Sequence, residues 1–331
     1  MFARSSVSTH AAFCDPITRA ALDVREGLGL VNGDGVLYKF AEQSHRVVDF
    51  VEPLRLSEVD SANLDAYDSE HAAEIYRNFL AWLFETFGEH EETFRRDTLE
   101  YLNLSQGMKV LVTGCGLGED LSLILEQVGT EGEVHAQDIS RTMVLHACSQ
   151  NHYSNILFSV SNANTLPYAS RYFDAVFHFG GINLFGDVGK AIRELERVCK
   201  IGGRVLFGDE GIAPHLRGDQ YAAIAINNNR LWAAEAPMHL LPKNAVDIVL
   251  RYVLGNCFYL ISFTPTSGLP KMNIDVPHKG SRGGSARTRY FGQLEGVTQS
   301  TKEKIVAEAK TRNLSVHQYL EEVFRSTTRS A

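Results

Sequence analysis

Cysteine pairs are missing from this sequence. Its five cysteines are odd in number, lie far apart and include no Cys-x-x-Cys pair; they are Cys14, Cys115, Cys148, Cys199 and Cys257. Such spacing argues against both a disulfide framework and a thiolate zinc site. We therefore expect reduced thiols and no bound metal.

Long apolar runs are missing too. The longest fall well short of the ~20 residues that cross a bilayer, and no stretch of signal-peptide length precedes Pro16. The sequence therefore predicts neither a membrane-bound nor an exported protein, and we expect a cytoplasmic location.

Positive charge is not in excess. The 331 residues include 32 Lys and Arg against 40 Asp and Glu, a formal net charge of −8. Sequence-independent nucleic-acid binding depends on neutralising phosphates with Lys and Arg, so we expect no nucleic-acid partner. With 44% hydrophobic and 22% charged residues, the chain has the composition of a globular protein, with one large domain and appendages or with two domains.

What the sequence does contain is a strand, a glycine turn and a helix in direct succession. Residues 109–121 begin with a short apolar run, pass through three glycines at alternate positions and continue into helical spacing. A second strand ends in Asp138, 20 residues after Gly118. A glycine turn lets the backbone approach a ligand, and a carboxylate at this distance can hold ribose hydroxyls. The pattern therefore predicts a nucleotide-type cofactor site.

Strands and helices alternate beyond this turn. Strands are predicted at 156–160, 173–179 and 204–207, with helices at 141–148 and 189–200. Such alternation builds a parallel sheet that is covered on both faces and binds ligands at the carboxyl ends of its strands. We therefore predict an α/β fold with a Rossmann-like, seven-stranded, mostly parallel sheet.

The C-terminal part is expected to add a hairpin and helices. Residues 218–254 have helical spacing, and 257–263 is strongly β, with 272–276 as its predicted antiparallel partner. Two short helices close the chain, each with a predicted capping box at its start: Ser300 with Glu303, and Ser315 with Gln318.

Five motifs, in this order, resemble those of a class I S-adenosylmethionine (SAM)-dependent methyltransferase, near the ubiquinone/menaquinone C-methyltransferase-like group. They are Val112-Thr113-Gly114-Cys115-Gly116-Leu117-Gly118, Asp138, Asn162-Ala163 before Leu166-Pro167-Tyr168, Phe173-Asp174-Ala175-Val176, and Arg197-Val198-Cys199-Lys200-Ile201-Gly202-Gly203. The resemblance covers residues 105–210 and extends to 278. It implies SAM as the cofactor.

The resemblance also implies nine cofactor-binding residues. Three glycines let the backbone approach the methionine part, an acidic residue holds the ribose hydroxyls, two apolar side chains enclose the adenine, and an asparagine reads its amine. In that order they are Gly114, Gly116, Gly118, Asp138, Ile139, Met143 and Asn162, with Ala163 and Phe179 beside them.

One position departs from the family pattern. Val112 stands where the family commonly carries an acid that helps to hold the SAM amino group. Our hypothesis is that Glu119, at the start of the following helix, takes this role; the alternative is that backbone carbonyls hold the amino group alone.

A dinucleotide is the alternative cofactor. Its fingerprint requires a third glycine three residues after the second, and position 119 is Glu. The spacing therefore favours SAM.

A small N-terminal module resembles the zinc-ribbon-like domain of an activator subunit of tRNA and protein methyltransferases. Asn-Gly and Asp-Gly turns separate apolar runs, and the run at 46–51 is expected to complete the module. Only Cys14 remains of the metal-binding cysteines, so no zinc is predicted.

We divide the chain into four segments. They are a β-rich module (1–58), a helical lid and linker (59–104), the SAM-binding methyltransferase core (105–278), and a basic loop with two helices (279–331). Residues 54–68 look like the linker itself, whereas 72–87 has the spacing of an amphipathic helix.

Tyr67 and Tyr76 are the lid residues that we expect at the substrate, although a stripe of this kind also forms ordinary core. Arg287 and Arg289 could bind an anionic group of the acceptor; the alternative is a solvated basic loop.

Methyl transfer depends mainly on positioning, so a catalytic motif is not required. A general base is needed only when the acceptor is a weak acid. The candidates at the strand exits are His178, Asn183, Asp209 and His215, with Glu210 next to Asp209. A buried histidine and helix-capping carboxylates are the alternatives.

The sequence thus predicts an enzyme that transfers a methyl group from SAM to a small molecule, at a carbon, oxygen, nitrogen or sulfur atom that it leaves undetermined. An RNA methyltransferase and a non-catalytic SAM-binding regulator are the alternatives. A homodimer is compatible with this interpretation.

Overall fold

The computed structural model describes residues 10–42, 45–51, 56–68, 71–280, 283–291 and 297–327. The chain divides into two compact units, residues 1–270 and 271–331.

The first unit contains eleven strands and seven α-helices in its described part, and strands and helices alternate only between residues 109 and 253. The strands are β1 (Asp23–Arg25), β2 (Gly29–Val31), β3 (Leu37–Lys39), β4 (Val47–Asp49), β5 (Lys109–Thr113), β6 (Glu133–Asp138), β7 (Ile156–Val160), β8 (Phe173–Phe179), β9 (Cys199–Glu210), β10 (Ala245–Val253) and β11 (Phe258–Pro265). The α-helices are α1 (Glu58–Tyr67), α2 (Ala72–Phe87), α3 (Glu91–Leu99), α4 (Leu121–Val128), α5 (Arg141–Gln150), α6 (Val188–Val198) and α7 (Gln220–Asn228).

Eight strands form one central sheet in the order β10-β11-β9-β8-β5-β6-β7-β4. The strands from β9 to β4 run parallel, whereas β11 pairs antiparallel with β9 and β10 with β11. The predicted α/β fold, with a mostly parallel sheet and an antiparallel hairpin, is confirmed. The sheet has eight strands rather than seven because β4 joins it.

Different helices cover the two faces of this sheet. Val110 and Val112 pack with α4 and α5, whereas Leu111 packs with α6. Successive strand residues point to opposite faces, so a strand that is covered on both sides needs a continuous apolar run. The carboxyl ends of the strands are therefore left to form a site.

The partner of β11 in the hairpin differs from the prediction. It is β10, where we expect a helix, and the described residues 272–276 contain no strand. The expectation is wrong because β10 lies at the sheet edge and contains a bulge between Val246 and Val249. Ile248, Val249 and Leu250 are all partly exposed, so the alternation that identifies a strand is lost.

The N-terminal segment divides its strands between two sheets. β1, β2 and β3 form a small antiparallel sheet, whereas β4 pairs in parallel with β7 of the central sheet. The run at 46–51 therefore belongs to the central sheet, and an antiparallel bridge between Phe40 and Val48 links it to the small module that it was expected to complete. Val47 and Val48 are fully buried, as in strands that are covered on both faces. The zinc-ribbon resemblance and the segment boundaries stay predictions.

A helix replaces the predicted linker. α1 follows Ser57, whose Oγ accepts a hydrogen bond from the Asp60 N–H at 3.1 Å. A serine with an acid three residues later is a capping signal, but α1 has little apolar periodicity to reveal it. The amphipathic helix predicted for 72–87 is present as α2.

The second unit contains α8 (Ala286–Phe291), α9 (Gln299–Thr311) and α10 (Val316–Thr327) in its described part. The predicted capping box is confirmed at α10: the Ser315 N–H donates to Gln318 Oε1 at 2.9 Å, and the Gln318 N–H donates to Ser315 Oγ at 3.2 Å. The box predicted at Ser300 and Glu303 is wrong, because α9 begins earlier: its cap is Thr298, whose Oγ1 accepts from the Thr301 N–H at 3.3 Å. Among the described residues of the chain, no helix combines the length and the apolar character needed to span a membrane.

Candidate active site

A cavity lies where the carboxyl ends of the central strands meet α1 and α2. Its volume is about 1150 Å³ including the open mouth. It is lined by Asn63, Tyr67, Tyr76, Phe79, Leu80, Leu83, Phe84, Arg95, Gly114, Gly116, Gln137, Asp138, Ile139, Met143, Ala163, His178, Phe179, Gly180, Gly181, Leu184, Phe185, Glu210 and Phe258. The cavity therefore has two sides. The β6–β7 side is formed by residues at and after the ends of β6 and β7, the β8–β9 side by residues at and after the ends of β8 and β9, and the glycine turn after β5 lies between them.

The glycine turn reaches the cavity at Gly114 and Gly116, which have φ values of +60° and +51°. A Cβ on Gly114 would lie 2.9 Å from His178 Cε1, and one on Gly116 would lie 3.4 Å from the Tyr76 ring. Left-handed backbone and lack of room together require glycine at 114. The turn thus presents bare backbone to a ligand.

Asp138 lies beside this turn at the end of β6. One carboxylate oxygen accepts a hydrogen bond from the Gly116 N–H and the other from the Ser140 N–H, both at 3.0 Å. Burial raises the pKa of Asp138, against the effect of these backbone donors. Two fixed backbone donors therefore orient the carboxylate at the cavity wall.

Asn162 lies outside the cavity wall, and its amide has other partners. Its Nδ2 donates to Asp60 Oδ2 at 2.9 Å, and its Oδ1 accepts from the Asn164 N–H at 2.8 Å. The neighbouring Ala163 does line the cavity. Adenine reading by Asn162 stays a prediction.

Helix α1 is held at both ends above the β6–β7 side. At its start Asp60 also accepts from the Gly186 N–H at 3.1 Å. At its end Asp68 accepts from the Thr142 N–H at 2.7 Å and from Ser140 Oγ at 3.0 Å. Sequence reasoning missed these acids because it treats the segment as a linker.

His178 closes the cavity on the other side of β5 and is fully buried. Its Nδ1 lies 2.9 Å from the Thr113 carbonyl oxygen, which can only accept, so Nδ1 carries the proton. Burial lowers the pKa of His178, so the ring is neutral at pH 7. Nε2 therefore presents a lone pair, and it has no hydrogen-bond partner among the described residues.

Two adjacent carboxyl groups lie at the end of β9. Asp209 is fully buried and accepts hydrogen bonds from the backbone N–H groups of Asn183 at 2.6 Å and Glu210 at 2.8 Å. Asn183 in turn accepts from the Tyr259 hydroxyl at 3.0 Å. Asp209 and Asn183 therefore lie behind the cavity wall, whereas Glu210 is part of it. Burial, and then the Asp209 carboxylate, raise the pKa of Glu210 well above its usual range.

The remaining wall of this side is apolar. α2 contributes Phe79, Leu80, Leu83 and Phe84, and loop and strand residues Leu184, Phe185 and Phe258 face them. The three- and four-residue spacing on α2 predicts a packed face, but it could not show that this face borders a cavity.

Arg95 of α3 is a site residue that sequence reasoning missed. It lines the cavity, and its guanidinium pairs with Asp120 at 2.9 Å and Glu91 at 2.8 Å. Asp120 follows the glycine turn, so Arg95 brings a positive charge to the methionine end that the family resemblance implies. Only the fold brings α3 to this position.

Several predicted residues lie elsewhere. A Cβ on Gly118 would meet Ala147 Cβ at 3.1 Å, so Gly118 serves the packing of the turn against α5. Glu119 is half-buried outside the cavity wall, and His215 is exposed in a short 3-10 turn. Their expected roles stay predictions.

Arg287 and Arg289 belong to the second unit. Arg287 pairs with Asp275, and Arg289 Nη2 donates to the Gly283 carbonyl at 2.7 Å. Their expected contact with substrate is not tested by these interactions.

A Rossmann-like sheet, a glycine turn and an oriented carboxylate at the end of the second parallel strand define a domain of the nucleotide-cofactor class. Residues 104–259 match the model of a family described as a methyltransferase domain. Residues 104–259, just under half of the chain, therefore form a methyltransferase domain of the class that uses SAM as its cofactor.

The curated relatives are quinone-pathway enzymes by name. The chain is 28% identical over 145 residues to the demethylmenaquinone methyltransferase of Anoxybacillus flavithermus, covering 43% of this chain and 56% of the relative. It is 32% identical over 126 residues to the ubiquinone/menaquinone biosynthesis C-methyltransferase of Idiomarina loihiensis, covering 37% and 50%. The chain thus spans about half the length of the curated relatives that it matches.

A solved structure agrees with the fold. Phosphoethanolamine N-methyltransferase 2 of Haemonchus contortus, in complex with SAM, superposes with a TM-score of 0.51 at 14% identity. The match covers 64% of this chain and 61% of that one. At this identity the likeness shows a shared fold alone.

The residues present fit SAM. Gly114 and Gly116 leave the space that a Cβ would fill, and Asp138 offers an oriented carboxylate that would hold the ribose hydroxyls. Ile139 and Met143 line the cavity and would supply apolar contacts for the adenine. Arg95 would meet the methionine carboxylate, although Val112 supplies no charge for the amino group.

Proposed function

We propose that this protein transfers the methyl group of SAM to a small, largely apolar acceptor bound between α2 and the carboxyl ends of β8 and β9. The observation that carries the proposal is the continuity of the cavity. The same cavity joins the glycine turn and Asp138 to the apolar wall of α2. A cofactor and an acceptor can therefore lie side by side.

SAM, when bound, supplies a methyl group that its sulfonium already activates. The chain's own contribution is to align the acceptor and to exclude water, and orientation of this kind is worth roughly 7–11 kcal/mol. α1 and α2 supply the cover, because Tyr67 and Tyr76 line the cavity opposite the glycine turn.

Two polar groups on the acceptor side favour an acceptor that carries a hydroxyl. His178 Nε2 can only accept a hydrogen bond, whereas a neutral Glu210 carboxyl can donate one. A hydroxyl can satisfy both, since it donates and accepts, but for the Glu210 proton it would compete with the Asp209 carboxylate. His178 would then take the hydroxyl proton of the acceptor as the methyl carbon bonds to the acceptor and its bond to the SAM sulfur breaks, which leaves S-adenosylhomocysteine. A quinol with an apolar tail, the class that the relatives' names suggest, has these features.

The direct test measures S-adenosylhomocysteine (SAH) formation by the full chain with methyl-labelled SAM. The reaction is offered an organic-solvent extract of cells, an aqueous extract or total RNA, and an Asp138→Ala protein is the control. We expect turnover and a labelled product with the organic extract, and none with the control.

Other outcomes identify the alternatives. Label transferred to RNA would replace the proposal with an RNA methyltransferase. SAH binding without turnover in any mixture would favour a regulatory SAM-binding protein. The cytoplasmic location, the homodimer and the lack of nucleic-acid binding are parts of the proposal that need their own measurements.

A further inference from the structure

A buried amide oxygen borders the cofactor side of the cavity without a partner. Gln137, at the end of β6, is 1% exposed and lines the cavity. Its Nε2 donates to the Ser161 carbonyl oxygen, whereas its Oε1 has no hydrogen-bond partner among the described residues. An unsatisfied buried acceptor costs about 1–3 kcal/mol, so a group of this kind needs an explanation.

Unpartnered buried polar atoms are few in the described part of the chain, and two of those found belong to side chains that line the cavity. They are Gln137 Oε1 and His178 Nε2. Both residues lie level with Thr113 of β5, Gln137 on β6 and His178 on β8. They therefore mark the two sides of the cavity, and Gln137 belongs to the side of Asp138.

The surroundings of Gln137 suit a flat, apolar ring that carries a hydrogen-bond donor. Ile139, Met143 and Ala163 line the same side of the cavity, and so does Asp138, which would hold the ribose under the proposed function. An adenine attached to that ribose is such a ring, and its exocyclic amine is a donor.

We propose that Gln137, held by its bond to Ser161, reads the exocyclic amine of adenine through Oε1. This inference rests on the proposed function, since it takes SAM as the ligand. It also gives Asn162 a different task. The Asn162 amide joins Asp60 to the backbone of Asn164 and so fixes the start of α1.

The test uses binding alone, with two ligands that differ at this position. In SAH the ring bears the amine, whereas S-inosylhomocysteine has an oxygen there and cannot donate from it. Calorimetry with the wild-type chain should show that SAH binds at least about tenfold tighter. Gln137→Leu should weaken SAH binding about tenfold and leave S-inosylhomocysteine binding nearly unchanged, so the preference disappears; tenfold corresponds to ~1.4 kcal/mol.

Two further variants distinguish recognition of the adenine amine from a general effect of the substitution on the structure. Gln137→Glu keeps both hydrogen bonds if the buried carboxyl stays protonated, because its hydroxyl can donate to Ser161 and its carbonyl can accept. It should retain the preference for SAH. Asn162→Ala should weaken both ligands by the same factor, since it loosens α1.

A Gln137→Leu protein that folds, binds SAH and keeps the preference would overturn the inference. An Asn162→Ala protein that no longer binds SAH more tightly than S-inosylhomocysteine would also overturn it, because Asn162 would then be the residue that binds the exocyclic amine. Absence of SAH binding by the wild-type chain would instead refute the proposed function, and the two failures are therefore distinguishable.

Discussion

The two sides of the cavity are built differently. On the β6–β7 side, backbone groups and a hydrogen-bonded carboxylate form the wall, and Asp138 already has two backbone donors before a ligand arrives. On the β8–β9 side the wall is mostly apolar, and His178 Nε2 and the Glu210 carboxyl are its polar groups.

The difference indicates what each side does. Backbone geometry fixed by positive φ angles suits one constant ligand, because side-chain substitution can hardly alter it. An apolar wall with few polar groups suits selection of an acceptor, since single substitutions change its shape and its hydrogen bonds. Cofactor binding should therefore depend on the first side and acceptor choice on the second.

Gly114→Ala should have the largest effect, because the turn touches both sides. The new Cβ would lie 2.9 Å from His178 Cε1 at a φ of +60°. Left-handed backbone in a non-glycine residue costs roughly 1–2 kcal/mol, and His178 must also move. We expect SAH affinity, measured by calorimetry, to fall about 100-fold or more.

Gly202→Ala is the matched control. Gly202 has a φ of +79°, but a Cβ there would have nothing within 4 Å. It should lose about 1–2 kcal/mol of unfolding free energy and keep its SAH affinity. Equal losses of SAH affinity in the two variants would mean that backbone strain, rather than the loss of space for the ligand at Gly114, explains the effect.

Glu210→Gln tests the other side without an acceptor. The pKa of Glu210 is raised by burial and by Asp209, so the folded chain keeps a proton that the unfolded chain releases above about pH 4.3. Stability should therefore fall as pH rises from there toward the raised pKa, by at most about 1.4 kcal/mol per pH unit. The variant removes this slope, so relative to wild type its unfolding free energy should increase from pH 6 to pH 8.

Denaturant unfolding at each pH measures the difference. Glu235→Gln makes the same chemical change at an exposed side chain and should give a difference that does not vary with pH. A Glu210→Gln protein that runs parallel to wild type across this range would show that Glu210 is ionised in the folded chain, and the hydroxyl-binding hypothesis would lose its donor.

The sequence predicts the β6–β7 side better than the β8–β9 side. The strand, the glycine turn and Asp138 lie within thirty residues, and each has a local signal that needs no knowledge of the rest of the fold. The order of these signals was enough to identify the class of domain.

Residues that reach the site through tertiary packing had no such signal. Arg95 looks like an ordinary helix residue until α3 is placed beside the glycine turn, and Gln137 is an unremarked strand position until its Oε1 is seen to lack a partner. β10 was missed for a related reason, because an edge strand with a bulge exposes apolar residues that alternation rules place inside.

Asp60→Asn should have the smallest effect and tests whether α1 covers the cofactor side. Asp60 accepts hydrogen bonds from Ser57 Oγ at 2.7 Å, Asn162 Nδ2 at 2.9 Å and the Gly186 N–H at 3.1 Å. An amide keeps one acceptor oxygen but turns an NH₂ toward donors, so about 1 kcal/mol is lost. If α1 must lift for the ligand to leave, SAH dissociation in stopped-flow experiments should accelerate roughly fivefold, with a smaller change in the association rate.

Asp68→Asn, at the exposed other end of α1, is the control and should accelerate SAH dissociation less. A lower melting temperature with an unchanged dissociation rate would mean that α1 supports the fold without acting as a cover.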